Sequence, residues 1–205
     1  MHICIPSYSR MHAFITFLRD CSIMVDDIIL SKLLERISSR LESIEKRHGY
    51  LSFLIEKRYA NEKLLQLEVM NIISSLPRVM DYLPERQYDD EGKEKCDFWF
   101  KTEDTDYWLE IKTRPTNYRK PGHAKAITNG VNGVIEDIER LKAIKDPKAR
   151  KVVMFAFYPM YDDSYRIFNR RHLPRIAEAA DKEVSKPDIS LRVKDAYFDI
   201  YLIEI

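Results

Sequence analysis

Apolar residues recur at spacings of three and four from Val25 onward: Ile28, Ile29, Leu33, Leu34, Ile37, Leu41 and Ile44. That is the stripe of an amphipathic helix, with Asp26 and Asp27 in its first turn, where negative charge suits the helix dipole, and His48-Gly49 as its stop. A second helical stretch runs from Tyr50 to Leu76, with a break expected near Arg58–Asn61. Asn61 is a suitable N-cap, and Pro77 lies just beyond the end. The first 24 residues carry Ile15, Phe17 and Leu18, enough for a short helix or strand.

The pattern then changes period. Val79–Leu83 reads as a first strand, and Pro84–Lys95 as a charged loop. Two aromatic-rich runs follow, Cys96–Phe100 and Tyr107–Ile111, joined by the polar connector Thr102–Thr105. Runs of this length and composition predict a β-hairpin. A loop symmetric about Glu103–Asp104 sets Phe100 opposite Tyr107, Trp99 opposite Trp108 and Phe98 opposite Leu109, so Asp97 falls opposite Glu110. Strand alternation then gathers Asp97, Trp99, Trp108, Glu110 and Lys112 on one face, and Phe98, Phe100, Leu109 and Ile111 on the other. Ile127–Ile144 predicts a helix containing Gly130 and Gly133, and Lys151–Tyr158 a strand buried on both faces. Arg166–Ala180 predicts a helix that Pro174 kinks or restarts, and Ala196–Ile205 a terminal edge strand. Helices and strands in this order predict an α/β fold with a mixed sheet.

Composition narrows the classes. The 205 residues are 45% apolar, which supports a packed core and excludes a disordered chain. Lys and Arg (34) nearly balance Asp and Glu (33), so contact with a polyanion has to come from a local patch. With 5 glycines there is no phosphate-binding Gly-rich loop, and the three cysteines, Cys4, Cys21 and Cys96, have neither zinc-site spacing nor a disulfide framework. The apolar patch around Phe14–Leu18 is interrupted by Arg19 and Asp20 and is too short to span a membrane. Reduced thiols and no membrane segment lead to the expectation of a cytoplasmic protein.

Two carboxylates facing each other across a strand pair repel unless a cation lies between them. A divalent metal such as Mg²⁺, which takes oxygen ligands from one or two carboxylates and keeps several waters, answers that need. Lys112, one pleat beyond Glu110, brings an ammonium to the same face. The competing reading is a solvated hairpin face neutralised by Lys95 and Lys112. Beyond the hairpin, Arg114, Arg119, Lys120, His123 and Lys125 gather in a segment kept irregular by Pro115, Pro121 and Gly122. Such a loop suits phosphate contacts, with Tyr118 available to stack on a base. A second basic cluster, Arg166, Arg170, Arg171, His172 and Arg175, lies further on.

Asp97 followed by Glu110-Ile111-Lys112 on the next strand resembles the signature of the PD-(D/E)xK nuclease superfamily, whose restriction-endonuclease-like fold is a mixed sheet flanked by helices. The resemblance covers residues from about Asn61 to Met160, and Cys96 stands where the family pattern has Pro. It implies a Mg²⁺-dependent endonuclease (Mn²⁺ as substitute) acting on DNA, with Asp97, Glu110 and the Ile111 carbonyl as metal ligands and Lys112 assisting the attacking water. An acidic residue from the preceding helix completes such sites, and Glu62 fits better than Glu68. Residues 61–205 would be the nuclease-like domain, and 1–60 a helical extension, read either as a homodimerisation arm or as a helix packed on the same domain. The alternatives are a non-catalytic nucleic-acid-binding or assembly module that keeps the fold, and an RNA-cleaving relative.

Overall fold

The computed structural model describes residues 8–88, 94–118 and 125–205, with side chains described in 28–88, 94–118 and 127–205. Helix α1 runs unbroken over Tyr8–His48, starting well before Val25, because no Pro or Gly interrupts the chain between Pro6 and Gly49. Gly49 stops it in the left-handed region (φ 60°), and α2 (Tyr50–Lys57) follows at once. The chain breaks at residues 58–61, where expected. Asn61 then caps α3 (Glu62–Ile73), its side chain accepting the Leu64 N–H at 3.1 Å.

Leu33, Ile37 and Leu41 of α1 are buried in one cluster with Leu51 and Leu54 of α2 and with Leu65, Val69 and Ile73 of α3. The same cluster reaches the sheet at Phe98, Phe100, Leu109 and Ile111. Ile29, Leu30, Leu33, Ile37 and Leu41 are therefore covered by this chain's own elements, and one core runs across residue 60, while Ile28 stays exposed. Residues 1–7 lie outside the described residues.

Six strands form one mixed sheet in the order β1 (Asp81–Gln87), β2 (Lys95–Lys101), β3 (Asp106–Pro115), β4 (Ala149–Met160), β6 (Ala196–Glu204), β5 (Ile189–Val193). All neighbours are antiparallel except β3 and β4, which are parallel and joined by α4 (Lys125–Ala143). Helices α5 (Asp162–Arg171) and α6 (Leu173–Ala180), split at His172 just before Pro174, join α4 on the second face. The protein is thus α/β, with helices on both faces of the sheet. Among the described residues no helix is long and apolar enough to cross a membrane.

The hairpin has the expected register: Phe98 opposite Leu109, Trp99 opposite Trp108, Phe100 opposite Tyr107. Two strands differ from expectation. β1 extends to Gln87 through the predicted charged loop, because an edge strand tolerates a proline. The C-terminal strand β6 is interior, since Ile189–Val193, short and half polar, forms a hairpin outside it.

Strand alternation also fails at one rung. Pro84 pairs with Phe98 and Arg86 with Cys96, but Glu85 between them takes φ 54°, and the β2–β3 ladder ends at Phe98–Leu109. Past this irregularity Cys96 lies with Trp99 and Trp108 in the α4-side core, whereas strict alternation puts it on the opposite face. Asp97 is the residue displaced by the change.

Gly130 lets α4 approach the sheet. A Cβ there would lie 3.0 Å from both Arg114 Cβ and Phe157 Cε1, while one at Gly133 would meet nothing nearer than Lys112 Cε at 3.8 Å. Overpacking outweighs the helix-propensity gain at the first position only. In urea denaturation Gly130→Ala should lose about 1 kcal/mol, the balance of the two effects, and Gly133→Ala should gain up to about 1 kcal/mol.

Candidate functional site

The displaced Asp97 is fixed through both oxygens before any ligand arrives. Gln66 on α3 donates its side-chain N–H to Oδ1 at 2.8 Å, and the Ile111 backbone N–H donates to Oδ2 at 2.8 Å. The carboxylate thus takes the donor left free where β2 parts from β3. It is half-buried and forms part of the wall of an open cleft between α3 and the β1–β2 strands, beside Gln66, Met70, Pro84 and Phe98.

Glu110 lies deeper, 2% exposed, in the middle of β3. Tyr88, just past β1, donates its hydroxyl to Glu110 Oε1, and Arg140 Nη2 of α4 is 3.6 Å from the same oxygen. Lys112 Nζ sits 3.3 Å from Asp137 Oδ2 and 4.0 Å from Glu62 Oε2. Glu62 also accepts the Thr113 backbone N–H at 3.3 Å. Asp137 pairs with Arg140 as well.

Each helix presents these groups for a simple reason. Glu62 and Gln66 are four apart, so both fall on the edge of α3 nearest β3 and β2. On α4, Gly130, Gly133, Asp137 and Arg140 form a single stripe, and β3 runs beneath it. Gly130 lies on Arg114, Gly133 on Lys112, and the two charged residues then meet Lys112 and Glu110.

The electrostatics follow from burial. Loss of solvent pushes the Glu110 carboxyl up to about 8; the Tyr88 hydrogen bond opposes this, and the negative charges of Asp97 and Asp137 add to it. Burial also raises Asp137, against the pull of Lys112 and Arg140. Burial disfavours the Arg140 charge, yet Asp137 and Glu110 outweigh it and hold that guanidinium above its usual value. Tyr88 is held well above the usual phenol range, first by burial and then by the neighbouring Cys96 and Glu110.

The sequence reading thus finds Asp97, Glu110, Lys112 and Glu62 in one place, with Ile111 bonded to Asp97 through its N–H. Glu68 is elsewhere: it pairs with Arg40 of α1 at 2.7 Å. Arg114 folds back, 3.4 Å from the Thr113 carbonyl. Tyr118 does not offer the expected open ring, because the chain around it is pinned by Arg58, which bonds the Thr116 and Tyr118 carbonyls, and the ring packs against both cores with its hydroxyl buried. Arg119, Lys120 and His123 lie outside the described residues, as does the side chain of Lys125, the first residue of α4.

Gln66, Tyr88, Asp137 and Arg140 were not anticipated. The glycine-and-charge stripe of α4 was a legible signal for the last two, and the four-residue step from Glu62 for Gln66. Tyr88 had none, since the chain before β2 reads as loop.

Among the described residues no group of three or more His, Cys, Asp or Glu gathers as a metal cage. The set that is present consists of two neighbouring carboxylates, Asp97 and Glu110, the second raised by desolvation. Oxygen donors of this kind, few in number and negative, fit Mg²⁺, which retains waters for its remaining positions. No protein-family model matches this chain, and no curated protein or solved structure matches it either.

A carboxyl raised on folding stabilises the folded state fully below its unfolded value, about 4.3, and loses that contribution as pH rises through its folded one. Metal-free protein should therefore lose stability between pH 5 and about 8. Glu110→Gln should flatten that fall in urea denaturation curves. An unchanged slope in the variant would assign the pH dependence to another group.

Proposed function

We propose that this chain is a metal-dependent nuclease of the PD-(D/E)xK, restriction-endonuclease-like type that hydrolyses DNA phosphodiester bonds. One observation carries the reading. The Asp97–Glu110 pair, with desolvation pressing on Glu110, shares a site with a lysine whose ammonium is held between two further carboxylates. The element order α3-β1-β2-β3-α4-β4 supports it, since it follows the helix, strand, hairpin, helix, strand sequence that the resemblance implies.

In this reading Asp97, Glu110 and the Ile111 carbonyl hold Mg²⁺ or Mn²⁺, which when bound supplies Lewis-acid polarisation of the scissile phosphate and acidifies a water. Gln66 and the Ile111 N–H fix the Asp97 carboxylate in one orientation, so no side-chain ordering remains when a ligand arrives. Asp137 and Glu62 aim the Lys112 ammonium from two sides. From there Lys112 orients the attacking water and offsets charge that develops on the phosphate oxygens. Arg140 and Tyr88 keep Glu110 from swinging out of the site.

A second reading draws on Arg140. Its guanidinium already supplies positive charge to Glu110, as a binding module without chemistry would need.

The two are separated by incubating wild type with plasmid, duplex, single-stranded and branched DNA, and with RNA, in Mg²⁺ or Mn²⁺. Asp97→Ala and Lys112→Ala should each slow cleavage by about 100-fold or more, the scale of losing an acid–base or charge-stabilising group, with circular dichroism unchanged. Absence of cleavage on every substrate, with binding equal in wild type and variants, would select the binding module. Cleavage confined to RNA would select the RNA-cutting relative.

A further inference from the structure

Several arginines of this protein are engaged internally. Arg36 bonds Ser75, Arg40 pairs with Glu68, Arg58 binds two carbonyls, Arg86 stacks on Trp99, Arg140 serves Asp137 and Glu110, Arg150 pairs with Glu204, and Arg175 bonds Asn132. Three on α5 are not. Arg166, Arg170 and Arg171 are exposed and have no acidic partner among the described residues, and with Ile167 they line a surface hollow of about 280 Å³. In a chain whose charges nearly cancel, three free guanidiniums within six residues form a concentrated positive field.

Asp162 and Asp163 lie in the first turn of α5, four and three residues before Arg166 and at the end away from Arg170 and Arg171, so the positive field is strongest at the latter two. The helix C-terminus favours cations there. His172, next in the chain, is shifted down, first by burial and then by the charges of Arg175 and Arg171. Arg171 also acts on Tyr118, in the segment that leaves the strand carrying Glu110 and Lys112.

We propose that the exposed face of α5 formed by Arg166, Arg170 and Arg171 contacts the phosphate backbone of a nucleic acid and holds it outside the Asp97–Glu110–Lys112 site. The ligand class rests on the nuclease reading; the patch itself rests on the unpaired arginines. Guanidinium forks match phosphate oxygens in pairs, and contacts of this kind position a nucleic acid without themselves carrying sequence information.

The test is fluorescence anisotropy of a labelled 20-base-pair duplex and of the matching single strand, in EDTA, across a KCl series. Each neutralised phosphate adds about 0.9 to the slope of log affinity against log salt on duplex DNA. The triple variant Arg166→Ala, Arg170→Ala, Arg171→Ala should lower that slope by about 2 to 3 and weaken binding at least about tenfold at 100 mM KCl, with an unchanged melting curve. A charge-matched control, Arg47→Ala, Arg78→Ala, Arg192→Ala, removes exposed arginines elsewhere and should leave the slope as it is. An equal slope in the α5 variant, an equal drop in the control, or absence of binding by wild type would overturn the proposal. Binding to phosphatidylserine vesicles in place of nucleic acid would overturn it in favour of a lipid surface. Cleavage by wild type with the slope unmoved in the variant would remove the patch and keep the nuclease. Arginine-dependent binding without cleavage would do the reverse.

Discussion

Burying one carboxylate in the centre of a sheet with a second close by, where the hairpin ladder has ended, is the constraint that the rest of this protein answers. Glu110 is nearly inaccessible, and Asp97 is near enough to raise it further. An isolated buried charge of this kind costs several kcal/mol, and proteins tolerate it only with compensation. Here the compensation comes from four separate elements: Tyr88 after β1, Gln66 from α3, Arg140 from α4, and Lys112 from β3 itself. Asp137 belongs to the same balance, a further carboxylate held between Lys112 and Arg140. The arrangement lowers the penalty without removing it.

The helix layers make that balance geometrically feasible. α3 is pressed onto the sheet by α1 and α2 through a continuous apolar cluster, which fixes where Glu62 and Gln66 reach. The Arg40–Glu68 pair between α1 and α3 is half exposed on the arginine side and adds little. On the other face, Gly130 permits α4 to lie close over Arg114, so that the helix's charged end is carried down to Glu110.

Much of this was legible before any coordinates. The aromatic runs set the hairpin register because each ring has a partner only in one alignment; Glu110 and Lys112 follow from it, whereas Asp97, expected opposite Glu110, lies past the end of the ladder. Asn61 announced its cap. The failures have physical causes. Charge and Pro84 disguise β1, because an edge strand needs only one apolar neighbour and tolerates both. β5 is too short and too polar to stand out from turn sequence. The irregularity at Glu85 and Asp97 has no local sequence marker, since neither residue is a glycine, so simple alternation put Cys96 on the wrong face. The partners of Glu110 and Lys112 on α4 come from more than twenty residues away, and only the glycine-and-charge stripe connects them.

The distorted rung on β1 has a consequence for the protein in concentrated solution. An outermost strand offers a row of backbone donors and acceptors to any other chain, the usual beginning of sheet-to-sheet ribbons. On this strand Pro84 lacks its N–H and Glu85 turns its peptide through a left-handed bend, so the row is interrupted at its middle while Tyr82 and Leu83 remain exposed beside it. A second molecule arriving edge-on finds an incomplete template. The kink that displaces Asp97 into the site thus also guards this border of the sheet against self-propagating assembly.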